Sequence, residues 1–282
     1  MSQFDAEEGP LVSIIVPTKN SERTIEKCLK SIKDQSYKNI ELIVVDNNSE
    51  DKTFEIAKKY ADKVININCE RSAARNYGAK ISSGKYLLFI DSDMVLTENV
   101  VKECVEKCEL NGYDALYIPE EIMGEGFWIK VRNFERSFYT GTVIDAVRFV
   151  RKDIFEKSGG FDENLVAGED WDLDRRIKDI GAKVGIINSN LFHEEGKFDI
   201  KKYLSKKEYY TKFGFNEYAK KWNNDKIVKK QLGARYRLIG VFIEDGKWKR
   251  LIRHPILTIG MYYLRFRVGI TYIKSKIKIA KK

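Results

Sequence analysis

The most constraining feature of this chain is a repeated alternation of short, branched apolar runs with amphipathic segments. Residues 11–16 and 40–45 have the pattern of strands buried in a parallel sheet. Between them Ile25, Cys28, Leu29 and Ile32 recur at i, i+3, i+4 and i+7, the spacing of one helical face. Residues 64–67 read as a third strand and 86–90 as a fourth. Helical spacing returns before that fourth strand in Ala74, Tyr77, Gly78 and Ile81, and after it in Val101, Cys104, Val105 and Cys108. Such alternation predicts a doubly wound, mostly parallel α/β sheet flanked by helices. Right-handed crossovers place the ligands of such sheets at the carboxyl ends of the strands.

The second half is more mixed. Residues 113–119, 147–150 and 183–187 read as strands, 127–138 as a helix, and 168–181 contain another. Beyond Asp199 the chain reads as helices rich in Lys and Tyr. With 282 residues, no internal repeat and no Pro- or Ser-rich linker, one large domain with a C-terminal appendage fits better than two equal domains.

Composition narrows the class. A hydrophobic share of 43% excludes disordered and low-complexity chains. Four cysteines make no disulfide framework, so a reduced cytosolic setting is expected. Cys104 and Cys108 have ligand-like spacing, but they share a face with Val101 and Val105, and core packing is the better reading. The first ten residues carry acids and no apolar run, so no signal peptide is expected. No run approaches the ~18 uncharged apolar residues of a membrane span. The net charge of +9 is uneven. Residues 226–282 hold 16 Lys and Arg against Glu244 and Asp245, a net of +14, and the remainder sums to −5. That distribution points the tail at an anionic surface and argues against a nucleic-acid cleft through the whole protein.

The residues that carry chemistry sit where strands run out. Asp46 ends one apolar run; Asp91, Ser92 and Asp93 end another. In extended chain Asp91 and Asp93 point the same way, and two hard oxygen ligands can hold Mg²⁺ or Mn²⁺ against a diphosphate. Alone, Asp-Ser-Asp reads better as a solvated turn or helix cap after a strand. It is not alone. Pro17-Thr18-Lys19-Asn20, Asp46-Asn47-Asn48-Ser49, Ala74-Arg75-Asn76-Tyr77-Gly78, Asp91-Ser92-Asp93, Gly159-Gly160-Phe161-Asp162 and Gly168-Glu169-Asp170-Trp171 occur in order.

This ordered set resembles the family 2 glycosyltransferases, inverting enzymes of the GT-A fold, over about residues 11 to 193. The resemblance implies that Pro17, Thr18 and Asn20 contact the nucleotide base and ribose, with Asp46 on the base and Asn48 in the same turn. It implies that Arg75 lies near the nucleotide, that Asp91, Ser92 and Asp93 form the DxD site with the metal on Asp93, and that Asp170, beside Glu169, deprotonates the acceptor. His193, one of two histidines, would complete the metal site or else support it from the surface. Trp171 would stack on an acceptor sugar or pack in the core. The implied organisation is a disordered segment over 1–10, a catalytic domain over 11–225 divided at 93/94 into nucleotide and acceptor halves, and a basic amphipathic region over 226–282.

The expected activity is metal-dependent transfer of one sugar from a nucleotide diphosphate sugar, UDP favoured, to a hydroxyl acceptor. Lacking Gln-x-x-Arg-Trp, the motif of processive relatives, the chain is expected to add a single sugar. Neither GxGxxG after the first strand nor a P-loop is present, so dinucleotide oxidoreductases and kinases lose support. A polyprenyl-phosphate sugar synthase is the nearer rival, and a non-catalytic carbohydrate-binding or scaffold protein the more distant one. Basic residues flanking Trp248, Tyr262, Tyr263 and Phe266 suit an anchor on anionic lipid, which would hold the enzyme at the cytoplasmic face beside a lipid-linked acceptor. A helical subdomain or oligomer contact is the alternative for the tail.

Overall fold

The computed structural model describes residues 9–213 and 215–280. The first half runs β1 (Val12–Thr18), α1 (Ile25–Lys33), β2 (Ile40–Asp46), α2 (Thr53–Tyr60), β3 (Lys63–Asn66), α3 (Arg71–Ile81), β4 (Tyr86–Phe89), β5 (Met94–Leu96) and α4 (Val100–Asn111). Then follow β6 (Ala115–Tyr117), β7 (Glu120–Ile122), α5 (Phe127–Arg136), β8 (Phe149–Arg151), α6 (Lys152–Lys157), α7 (Glu169–Asp179), β9 (Val184–Ile186) and β10 (Leu191–His193). The remainder is helical: α8 (Ile200–Phe213), α9 (Asn216–Lys221), α10 (Lys226–Leu232), α11 (Val241–Ile243), α12 (Trp248–Arg253) and α13 (Pro255–Ala280). Two compact units result. The first comprises the chain up to Glu121, Ala146–Glu163 and Asp170–Glu194; the second comprises Ile122–Asp145, Asn164–Glu169 and the chain from Glu195. Of the segment expected to be disordered, residues 1–8 lie outside the described residues.

The first unit is built on a seven-stranded sheet of order β3-β2-β1-β4-β8-β6-β9. Pairing is parallel from β3 through β4 and again between β6 and β9, while β8 runs antiparallel to both neighbours. The apolar runs are nearly continuous because both faces are covered. Ile14 and Val16 of β1, Leu42 and Val44 of β2 and Leu88 of β4 pack with the apolar faces of α1 and α4. On the opposite face Ile15, Leu87 and Phe89 meet Leu173 and Ile177 of α7. Cys104 and Cys108 are buried in the first of these clusters as free thiols, and burial pushes Cys108 up to about 12. Gly78 of α3 lies against β1: a Cβ there would sit 2.5 Å from Ile15 Cγ2, so only glycine lets the helix approach so closely.

Sequence periodicity locates the long elements to within two or three residues of these bounds. It misses α2, α6 and a second sheet of order β5-β10-β7. Each of those strands has three residues, too few for an alternation to register.

The second unit is helical. In it α13 packs on α5 and α8. Val131, Phe138, Phe242, Met261 and Leu264 are buried, with Phe138 edge-on to Phe134 and Phe242. A Cβ on Gly260 would meet Val131 Cγ2 at 2.7 Å, so α13 crosses α5 at a glycine. Glu135 of α5 and Arg265 of α13, both nearly buried, pair at 2.7 Å. Among the described residues no helix is long and apolar enough to cross a membrane.

Candidate functional site

Parallel register brings the ends of β1, β2 and β3 together, placing Thr18 beside Asp46 and Asp46 beside Asn66. Asp46 holds its own turn, accepting from Ser49 N–H at 2.9 Å and from the Ser49 hydroxyl at 2.5 Å. Asn20 and Asn48 both have positive φ, a conformation asparagine tolerates. Asn20 accepts from Glu50 N–H at 2.9 Å, and Asn48 N–H donates to Asn66 Oδ1 at 3.1 Å. Pro17 and Thr18 are buried in this edge, and Thr18 Oγ1 has no hydrogen-bond partner. A buried hydroxyl left in that state is costly, and a ligand at the edge would satisfy it.

Arg75 organises the centre. It projects from α3, is 1% exposed, and its guanidinium forks: Nη2 donates to Asp91 Oδ1 at 2.6 Å and Nη1 to Asp170 Oδ1 at 2.8 Å. Phe161 lies below the guanidinium, 5.0 Å from its ring centroid. That ring is fixed by Asn76, whose side chain both donates to Phe161 O and accepts from Phe161 N–H. The consecutive Arg75 and Asn76 therefore tie the end of β4, the Gly159-Gly160-Phe161 loop and the start of α7 to one helix. Burial would push Asp91 up, but Arg75, with Arg148 and Arg71 farther off, holds its carboxyl well below the usual range. The Asp170 side chain is 42% exposed, although Leu173 and Ile177 on the same face are in the core. Glu169, by contrast, is buried. Trp171 is half-buried.

Asp93 and His193 meet through the small sheet. Antiparallel pairing sets His193 opposite Met94, and Glu194 N–H donates to Asp93 O at 2.7 Å. The His193 ring then bridges two carboxylates, with Nε2 2.9 Å from Asp93 Oδ2 and Nδ1 2.8 Å from Glu120 Oε1. Burial alone would lower the imidazole, yet hydrogen bonds to Asp93 and Glu120 raise it to about 9. Arg148 continues the chain, reaching Glu120 Oε2 at 3.2 Å. Ser92 turns away and donates to Ser21 Oγ at 2.8 Å.

Among the described residues no group of three or more His, Cys, Asp or Glu is arranged to hold a metal by itself. Asp91 faces Arg75 and does not join Asp93 and His193. That pair nevertheless fits a divalent ion shared with a substrate. Their 2.9 Å separation is close to the cis edge of an octahedron with bonds of about 2.1 Å. A carboxylate oxygen with an imidazole nitrogen suits Mn²⁺, and Glu120 orients the ring through its other nitrogen, as carboxylates behind ligating histidines do.

Glu120 and Arg148 are the site residues that sequence reading misses. Arg148 carries a signal in retrospect, as a cation inside the apolar run Val147-Arg148-Phe149-Val150. Glu120 carries none, since it lies on a three-residue strand.

Comparison with known proteins identifies the family and the fold. The family model described as Glycosyl transferase family 2 matches residues 13–159, just over half of the chain. The chain is 34% identical over 149 residues to the uncharacterized glycosyltransferase EpsJ of Bacillus subtilis, covering 51% of this chain and 41% of that protein. It is 43% identical over 88 residues to WfaP of Escherichia coli, a UDP-Glc:alpha-D-GlcNAc-diphosphoundecaprenol beta-1,3-glucosyltransferase, covering 29% and 35%. The chain thus spans less than half the length of either relative. In structure it is similar to the mannosyltransferase PcManGT of Pyrobaculum calidifontis, solved with GDP-Man and Mn²⁺. The TM-score is 0.64 at 17% identity, over 97% of this chain and 88% of that one, a likeness of fold. The run of motifs from the end of β1 to the start of α7, on a sheet of this topology and with the family match across its first half, places this chain in glycosyl transferase family 2.

Proposed function

We propose that this chain transfers a single sugar, with inversion, from a nucleoside diphosphate sugar to a hydroxyl of a lipid-linked glycan. The observation that carries this reading is the forked Arg75, which sets Asp91 at the end of β4 and the half-exposed Asp170 at a fixed spacing. Pro17, Thr18, Asn20, Asp46 and Asn48 would receive the base and ribose, and the partnerless Thr18 hydroxyl supports a polar ligand at that edge. Asp93 and His193 would hold Mn²⁺ or Mg²⁺, which when bound neutralises the departing diphosphate. Asp170 would take the proton of the attacking hydroxyl, and Arg75 would keep it in place. UDP is the favoured nucleotide, in line with the name of WfaP.

Calorimetric titration of the protein with UDP, GDP and dTDP, each with and without Mn²⁺, tests the donor assignment. One nucleotide is expected to bind at least tenfold tighter with the metal, and Asp93→Ala to remove that difference. If no nucleoside diphosphate binds under either condition, the donor assignment is wrong.

The lipid-linked acceptor draws support from the outer face of α13. There Ile256, Ile259, Tyr263, Phe266 and Ile273 form one exposed stripe, at spacings of three, four, three and seven, with Arg267 and Lys274 beside it. Such a face lies in a membrane interface, its aromatics and aliphatics buried and its cations drawn to anionic headgroups. Each large side chain withdrawn from water is worth roughly 1.5–3 kcal/mol. Ile259→Glu with Phe266→Glu should therefore reduce co-sedimentation with phosphatidylglycerol vesicles at least tenfold. Should both proteins stay in the supernatant at low salt, a soluble acceptor replaces the lipid-linked one.

A further inference from the structure

Glu120 and Arg148 stand behind the Asp93–His193 pair, and neither belongs to the motifs that run through the sequence. The order of the small sheet, β5-β10-β7, explains their place. His193 ends the central strand, so its ring meets a carboxylate from each side: Asp93, just before β5, and Glu120, the first residue of β7. The two carboxylates are not equivalent. The Asp93 side chain is 39% exposed, whereas that of Glu120 is 14% exposed and has a partner on each oxygen. Glu120 Oε1 lies 2.8 Å from His193 Nδ1, and Oε2 accepts from Arg148 Nη2 at 3.2 Å.

Arg148 is itself fixed by the main sheet. Its N–H donates to Leu116 O at 3.1 Å, and its carbonyl accepts from Phe89 N–H at 3.0 Å. The pairing of Leu88 with Phe149 sets Arg148 opposite Phe89, two residues before Asp91. The hydrogen bond from Arg148 to Glu120 therefore anchors the histidine of the small sheet to the backbone of the large one. An ionised carboxylate only accepts, so His193 Nδ1 carries a hydrogen toward Glu120, and Nε2 is the nitrogen turned toward Asp93. A carboxylate in this position fixes the tautomer and the orientation of a ligating imidazole and makes it a stronger ligand. Without it the ring is free to turn and exchange its two nitrogens.

We propose that Glu120 and Arg148 are positioning residues that set the affinity for the divalent ion. Glu120 holds the His193 ring with Nε2 toward Asp93, and Arg148 keeps the second oxygen of Glu120 occupied, so that this carboxylate supports the histidine and does not itself bind the ion. The inference rests on the reading that Asp93 and His193 hold the ion in the donor complex.

The test is titration of the full chain with Mn²⁺ in saturating UDP, following the paramagnetic resonance of the free ion, beside calorimetry of UDP binding in EDTA. Glu120→Gln should weaken Mn²⁺ binding by about tenfold or more, the scale of such outer carboxylates. Arg148→Met should weaken it by about threefold or more, and Arg148→Lys, which keeps the cation, should recover part of that loss. Both Glu120→Gln and Arg148→Met should leave UDP affinity in EDTA within about twofold, a readout that a general loss of structure would move. Asp93→Ala should abolish Mn²⁺ binding. If Mn²⁺ binding survives Asp93→Ala, the metal reading falls and this inference with it. If Asp93→Ala loses the ion while Glu120→Gln binds it as the unchanged protein does, the inference alone is overturned. Unchanged or tighter Mn²⁺ binding in Arg148→Met would make Glu120 a ligand and overturn its supporting role. Loss of UDP binding in EDTA alongside loss of Mn²⁺ would show both residues to be merely structural, which also overturns it.

Discussion

Arg75→Met should cost about 3 kcal/mol of stability at neutral pH, lowering the melting temperature by roughly 6–12 °C. The methionine keeps an aliphatic stem over Phe161 but removes the cation from between two carboxylates. Most of the loss belongs to Asp91, which is 24% exposed and would be left partly buried without its counter-ion. The pair with Asp170 counts for less, because that side chain is 42% exposed and solvent screens it. Asp91 is held below the unfolded carboxylate value of about 3.9, so its contribution is complete above that pH. It is lost as pH falls toward the folded value. In the variant, burial is opposed only by Arg148 and Arg71, so Asp91 rises from its present low value and acid relieves the penalty. Thermal melts of both proteins at pH 7 and pH 3 should show the gap narrowing in acid. A gap below 2 °C at pH 7, or one that widens at pH 3, would mean that Arg75 is not the keystone of this site.

Such coupling explains how far the site could be read from sequence. The strands β1, β2 and β4 are legible because both of their faces are buried, so their apolar runs have almost no interruption. Their terminal acids, Asp46 and Asp91, stand out against that background. Arg75 is legible only through its motif; nothing in its local sequence says that it is buried or that it meets Asp170, 95 residues away. The expectation that Asp91 and Asp93 point together is a local statement about extended chain. The chain turns between them: β4 ends at Phe89 and β5 begins at Met94, so Asp91 goes to Arg75 while Asp93 goes to His193. His193 is drawn in by strand register, 100 residues from its partner, and Glu120 arrives on a third short strand. Register between three-residue strands leaves no trace in hydrophobic pattern. In the helical unit the apolar stripe of α13 is readable as spacing, but which of its two apolar faces is covered depends on α5 and α8.

Asp170→Asn should lower turnover by about 10²-fold or more, the scale of general acid–base work, while leaving nucleotide affinity within about twofold. An amide of nearly the same shape accepts a hydrogen bond from Arg75 Nη1 through its oxygen, so the fork and Asp91 stay in place. What is lost is a group able to take the proton of the attacking hydroxyl. Glu169 cannot substitute, because it is buried where Asp170 is half-exposed. The split between binding and turnover separates three readings of the protein. A hydroxyl-directed transferase loses turnover and keeps donor binding. A polyprenyl-phosphate sugar synthase acts on an acceptor already ionised, needs no base, and would work at full rate on a lipid phosphate with asparagine in place. A carbohydrate-binding or scaffold protein would show no turnover to lose. The measurement is initial rate against pH with a fixed donor, beside calorimetry of nucleotide binding for both proteins. Unchanged turnover on a lipid phosphate would move the assignment to the synthase. Parallel loss of turnover and nucleotide binding would show instead that Asp170 serves Arg75 and the donor pocket, and that the base lies elsewhere.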